Sequence, residues 1–196
     1  MVTTTSPAFV FQTLSPVQQP TATVLDEIRR REGFRRALFG VKMEDPETGV
    51  LCTEWSTPSA ALSYSHPPQP STTASALVFT TAVADAGEWH RALSAPCTEV
   101  FTAYGAEEEF EGNVARFVAE VRGRMPTGAE GAAFGVATGD GTGKEEGGTV
   151  RMVIGWESRE RHVEEKGKED AIHQNIHELR TLRRAVDLFH VAFKEV

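Results

Sequence analysis

Apolar and polar positions along the second half of the chain fall into short extended runs separated by helical stripes. Residues 98–104 are apolar and β-branched, which predicts a strand. Between 107 and 122, Phe110, Val114, Phe117, Val118 and Val121 recur at the spacing of one helix face. Residues 131–138 and 149–156 read as two strands joined by a glycine-rich hairpin. Residues 159–183 are charged, with Ile172, Ile176, Leu179 and Arg183 on one side, a helix with a partial apolar stripe. Residues 186–194 predict a last strand. The order βαββαβ is the ferredoxin-like unit.

The same order occurs earlier, in weaker form. Phe39-Gly40-Val41 recurs as Phe134-Gly135-Val136, each followed by a polar, glycine-containing loop and an apolar run ending in Trp55 or Trp156. Val10–Leu14 aligns with Val100–Tyr104, and Ala76–Thr80 with Asp187–Val191. A helix is expected over 21–36, carrying Val24, Leu25, Ile28 and Phe34. After Trp55 the second helix is cut short by Pro67, Pro68 and Pro70, which leave at most two turns over 58–65 and a loop over 66–75. The reading is an α+β chain of two tandem ferredoxin-like repeats, 1–85 and 98–196, with 86–97 as linker.

Composition narrows the partners. Lys plus Arg number 20 against 28 Asp plus Glu, a net charge of −8. Such a chain lacks the basic footprint of a nucleic-acid binder and is repelled by anionic membrane surfaces. No apolar run is long enough to span a bilayer, the first residues lack a secretory signal, and Cys52 and Cys97 make no disulfide framework. A cytoplasmic protein with a small-molecule partner is expected. The stretch Gly139–Lys144 is no phosphate loop, because a strand rather than a helix follows Gly148.

The segment from Met152 to Phe193, with Gly155-Trp156-Glu157-Ser158, His162 in the next helix and Phe189-His190-Val191 in the last strand, resembles the antibiotic-biosynthesis-monooxygenase-like members of the dimeric α+β barrel superfamily. It is most similar to the duplicated form found in fungi. The resemblance implies two four-stranded sheets packed face to face as an intramolecular barrel, as a monomeric pseudo-dimer or a homodimer. It also implies a ligand pocket between sheet and helices or within the barrel. Some relatives oxygenate electron-rich aromatics without metal or flavin; others degrade haem or catalyse dehydration, isomerisation or decarboxylation. Haem-degrading relatives keep a histidine ten residues after the tryptophan, where this sequence has Lys166, and the expected Asn on the first strand is missing from Thr98–Tyr104.

Candidate chemistry follows from that frame. By strand alternation, Phe189, Val191 and Phe193 are expected to pack on helices and His190 to face the barrel interior, opposite Arg151. An Arg that holds an enolate or phenolate and a His that moves its proton form one workable pair. His190, His162 and Arg151 are therefore the catalytic candidates. Trp156 and Trp55 either plug the core or stack on a planar substrate, with Tyr104 and His66 as further substrate-binding candidates. His173 and His177 share a helix face at metal-pair spacing, but nothing completes a site, so neither a metal nor an organic cofactor is expected. The implied function is a cofactor-independent tailoring enzyme of secondary metabolism. Its substrate would be a planar polyketide-like or phenolic molecule, altered by oxygenation or by dehydration, cyclisation or isomerisation. The alternatives are a non-catalytic, stress-related binding barrel and a degenerate structural partner.

Overall fold

The computed structural model describes residues 6–64, 76–81, 85–138, 147–166, 168 and 171–196. The first half runs β1 (Ala8–Leu14), α1 (Ala22–Arg29), β2 (Phe34–Val41), β3 (Gly49–Trp55), α2 (Pro58–Tyr64) and β4 (Ala76–Thr80). After α3 (Ala86–Ser94), the second half runs β5 (Cys97–Ala106), α4 (Glu108–Gly123), β6 (Ala129–Thr138), β7 (Gly148–Trp156), α5 (Arg159–Glu165), α6 (Ala171–Asn175), a 3-10 turn (Ile176–Leu179), β8 (Ala185–Val191) and β9 (Lys194–Glu195). All strand pairs are antiparallel, in one sheet ordered β8-β5-β7-β6-β4-β1-β3-β2-β9.

Alternation along the strands divides the core in three. Val150, Met152, Ile154 and Trp156 of β7 pack outward against α4 through Phe110, Val114, Phe117 and Val121. Val10, Leu51 and Trp55 pack outward against Leu25 and Ile28 of α1 and Ala61 and Tyr64 of α2. The opposite faces of both halves meet in a shared lumen of Phe9, Phe11, Val50, Phe79, Val100, Val153 and Phe189. Helices α1 and α5 start at side-chain caps, since Thr21 accepts from Val24 N and Ser158 from Arg161 N.

The sheet curls until its ends meet. β4 pairs with β6 at one seam. At the other, Lys42 bridges Val191, Met43 N–H donates to the His190 carbonyl at 2.8 Å, and β9 pairs with β2. The glycine of each Phe-Gly-Val motif lies at a seam. A Cβ on Gly40 would stand 2.3 Å from Val191 Cγ1 and 2.8 Å from the Ala192 carbonyl, and one on Gly135 would stand 2.7 Å from the Thr80 carbonyl. The repeated motif thus marks where the backbones must approach closely.

Four expectations change. Residues 86–94 are a helix rather than a linker, and Trp89 plugs the lumen, stacked on Phe9 at 4.6 Å. The 159–183 helix breaks into α5, α6 and a 3-10 turn. The α1 helix ends at Arg29, and positive-φ Gly33 leads into β2. Most consequentially, Phe189, Val191 and Phe193 fill the lumen, so His190 faces the helices instead. The bulkier apolar set takes the face enclosed on all sides, while the broken helix covers β8 only thinly. The expected loop 66–75 and most of the 139–148 hairpin lie outside the described residues.

Gly40→Ala and Gly135→Ala are each expected to lower unfolding free energy by roughly 1–3 kcal/mol through overpacking. Gly112→Ala, inside α4 with only Arg116 Nη1 at 3.6 Å from its new Cβ, is expected to raise it by up to ~1 kcal/mol. Urea unfolding of the three variants checks both signs.

Candidate active site

The outward face of the second half gathers four titratable side chains. Glu99 on β5 lies directly opposite His190 on β8 in the strand register. His162 comes from α5, whose Ser158 cap follows the end of β7 and turns the helix back over Trp156. The His162 and Trp156 rings stack at 4.8 Å and 18°. Trp156 Nε1–H donates to Glu99 Oε2 at 3.2 Å, and His162 Nε2 faces the same oxygen at 3.3 Å. His162 Nδ1 and His190 Nε2 are hydrogen-bonded at 2.7 Å. Glu44, from the β2–β3 connection of the first half, completes the row. Its Oε1 lies 2.6 Å from His190 Nδ1, its Oε2 accepts from the His190 backbone N–H at 2.8 Å, and Arg159 Nε holds it at 3.2 Å.

A continuous path therefore runs from the part-exposed Glu44 through His190 and His162 to Glu99. Glu99, His162 and His190 are each under a tenth exposed. Burial raises the Glu99 carboxyl above its ordinary range, against the pull of His190 and Lys166. Burial lowers His162 to about 3, and the charges of Lys166, His190 and Arg159 act the same way. Burial alone would raise Glu44, but hydrogen bonds from the His190 backbone and ring outweigh it and hold the carboxyl at about 2. Burial thus makes Glu99 a stronger base than an exposed carboxylate and keeps His162 neutral, while the hydrogen bonds from His190 leave Glu44 the fixed anion.

A cavity of about 340 Å³ opens beside this row, within the range of small-molecule sites. Glu99 and His162 form one wall, and Phe101, Phe117, Met152, Ile154, Ile172 and Leu179 form an apolar remainder. Lys166, His173, Arg180 and Leu188 also border it. Glu99, His162 and His190 place donor atoms within 4.8 Å of one another, a two-His, one-carboxylate set able to ligate a metal ion. Here those atoms engage one another, Trp156 and Glu44.

The expected residues divide accordingly. His162 and His190 come together, on the helix side of the sheet and not in the lumen. Arg151 does face the lumen and is separated from both by the sheet. Its guanidinium lies between the Phe11 and Phe79 rings at 4.5 and 4.4 Å, and its Nε donates to Thr102 Oγ1 at 2.9 Å. Burial lowers it only to about 10, so it stays a cation. Tyr104 lies two residues from Thr102, the register partner of Arg151, and so shares its face of the sheet. Trp156 backs His162 and Glu99 and does not border the cavity. Trp55 is buried in the first half, stacked on Tyr64 at 4.8 Å with Nε1 donating to Thr53. His66 lies outside the described residues. Glu99 and Glu44 were missed; the available signal for Glu99 was a lone carboxylate inside an apolar strand.

Among its described residues, the first half carries no such row on its outward face. Trp55 pairs with Ala8 as Trp156 pairs with Cys97, so Val10 and Val78 hold the register positions of Glu99 and His190. Tyr64 takes the stacking place of His162. The register also moves the expected β1–β5 alignment by one residue, which exchanges the two faces.

No family model and no curated protein sequence matches the chain. Solved structures do. An anthrone oxidase-like protein superposes with a TM-score of 0.67 at 10 % identity, covering 97 % of this chain and 93 % of that one. A candidate monooxygenase from Lactobacillus acidophilus gives 0.57 at 10 % identity, covering 96 % and 94 %. A candidate chlorite dismutase gives 0.53 at 7 %, covering 97 % and 95 %. At such identities the likeness shows the fold alone, a mixed α+β chain with a curled antiparallel sheet that resembles these proteins.

The Glu44 contribution to stability is complete above pH 4.5 and is lost as pH falls toward 2, because the unfolded carboxyl takes up its proton first. Urea unfolding between those limits is expected to show a falling free energy for the wild-type protein and a shallower fall for Glu44→Gln. The residual slope belongs to His162, which resists its proton until about pH 3.

Proposed function

We propose that this protein is a cofactor-independent enzyme of secondary metabolism. In this reading two tandem ferredoxin-like repeats, 1–85 and 98–196, close one barrel around the α3 plug. A single active site in the second repeat works on a planar, polyketide-like or phenolic molecule. The strand order β4-β1-β3-β2 in one half and β8-β5-β7-β6 in the other supports the two repeats. The observation that carries the function is a carboxyl with a raised pKa on the wall of an apolar cavity, connected to the surface by two histidines.

In the proposed mechanism Glu99 takes a proton from an enolisable C–H or a phenolic O–H of the bound substrate. A raised pKa makes it a stronger base than an exposed carboxylate, and the apolar wall excludes competing water. His162 and Trp156 orient its carboxyl. The proton leaves through His162 and His190 toward Glu44, whose pinned carboxylate holds the His190 ring in place. The resulting enolate or phenolate is then reprotonated elsewhere (isomerisation), attacks a carbonyl carbon of the same molecule (cyclisation), expels a hydroxyl that leaves as water (dehydration), or reacts with dioxygen, one oxygen entering the product and the other leaving as water with two hydrogens of the substrate (oxygenation). The anthrone oxidase-like and monooxygenase-like folds support the oxygenation branch.

Metabolites of the source organism, compared by mass spectrometry with and without the gene, identify the branch. A product richer by one oxygen indicates oxygenation, loss of water dehydration, and equal mass isomerisation or cyclisation. Glu99→Gln at the native locus is expected to accumulate the same precursor as the deletion. With that precursor, the purified variant is expected to be at least ~100-fold slower, as for loss of a general base. Wild-type activity is expected to survive a chelator. If Glu99→Gln keeps full activity, Glu99 is not the base and this mechanism fails; if no metabolite changes while the gene is expressed, a binding function replaces the enzymatic one.

A further inference from the structure

The charges around the cavity run against the charge of the whole chain. The protein carries −8 overall, yet the exposed residues that border this cavity include Lys166, Arg180 and His173. Among the described residues, neither Lys166 nor Arg180 has a carboxylate within ion-pair distance, although other surface arginines, such as Arg116, Arg124 and Arg161, are so paired. Lys166 is near enough to His162 and Glu99 to act on both titrations, so its charge is felt across the site. Leu188, 37 % exposed, lies on the same border. Behind them the wall is aliphatic and aromatic, and among the described residues that line it the one acid, Glu99, is buried.

We infer that the site takes an amphiphilic anion: an apolar, ring-sized body inside the cavity, and a carboxylate, sulfonate or comparable acidic group at the mouth against Lys166 and Arg180. Two cations at an aqueous mouth offer hydrogen bonds to an anion without burying its charge. They also draw an anion toward the mouth against the repulsion of an acidic protein. The same arrangement orients the ligand, because an anionic head held at the mouth directs the opposite end of the molecule toward Glu99 and His162. The inference rests on the cavity being the substrate site and adds the class of substrate it selects.

Two fluorescent probes separate the two claims. Anilinonaphthalene sulfonate and phenylnaphthylamine share one apolar body and differ by the sulfonate. The sulfonate is expected to bind roughly tenfold more tightly at low salt, since two exposed cations each contribute a few-fold. It should displace the uncharged probe competitively, and its advantage should shrink by ~0.5 M salt. Lys166→Ser with Arg180→Ser should abolish the advantage and leave the uncharged probe unaffected. Ile176→Trp, which fills the cavity from its border, should weaken both. Equal binding of the two probes, or an advantage that survives the double substitution, overturns the anion inference and leaves the cavity standing. Binding of neither probe, or binding untouched by Ile176→Trp in a protein that still melts cooperatively, overturns both claims. Displacement of one probe by the other in the wild-type protein locates them at one site even if that variant fails to fold.

Discussion

The contact between the segment after β2 and the end of β8 governs both the barrel and the candidate site. There the backbone of one half runs against that of the other, through the Lys42–Val191 bridge and the bond from Met43 N–H to the His190 carbonyl. The approach is possible because residue 40 has no side chain to meet Val191. Two residues past the bridge stands Glu44, and the register that closes the sheet also sets its carboxylate on both the ring and the backbone of His190. Closure of the barrel and orientation of the histidine are thus one event. The site sits on the second half, but the first half supplies the anion that fixes it.

The unequal halves follow from the cost of burying polar groups. Glu99, His162 and His190 are tolerable in a packed interface only because each has a partner: Trp156 and His162 for the acid, His190 for His162, Glu44 for His190. In the first half Val10 and Val78 occupy the matching register positions, and Tyr64 stacks on Trp55. That set needs no relay and packs as ordinary core. Among the described residues, the second half thus carries a row of mutually dependent polar groups where the first half is packed with apolar side chains. Loss of any single polar member would leave its neighbours buried and unpaired, so the row is kept or replaced as a unit.

Much of the fold was legible because strands and helices declare themselves by period, and Phe-Gly-Val and the terminal tryptophans fixed the order of elements twice over. What was not legible depends on a choice between faces. The β8 run Leu188-Phe189-His190-Val191 alternates cleanly, but alternation alone does not say which side is the lumen. That was decided by closure at Gly40 and by the broken helix above β8, both tertiary facts. The same slip aligned β1 with β5 one residue out, which hid the correspondence of Val10 with Glu99. The helix at 86–94 carries a sequence signal in Trp89, Ala92 and Leu93, but its place as a lumen plug depends on a lumen that forms only when the strands of both halves curl around it.

Arg151 shows why two correctly recognised polar residues need not form one site. It lies on β7 between Val150 and Met152, which face the helices, so strand geometry turns it to the lumen. Held between two phenylalanine rings and bonded to Thr102, it is a buried cation stabilised by aromatic faces instead of by a carboxylate. It contributes a fixed positive charge to one side of the sheet, while the hydrogen-bonded row of Glu44, His190, His162 and Glu99 runs along the other. The lumen is filled by side chains and the Trp89 plug, whereas the outward face of β5, β7 and β8 is covered by α4 on one side and by the interrupted α5–α6 segment on the other, which together leave a cavity. The interruption that makes the 159–183 segment a poor helix is therefore what makes room for a ligand, and the best-packed face of the sheet supports the other.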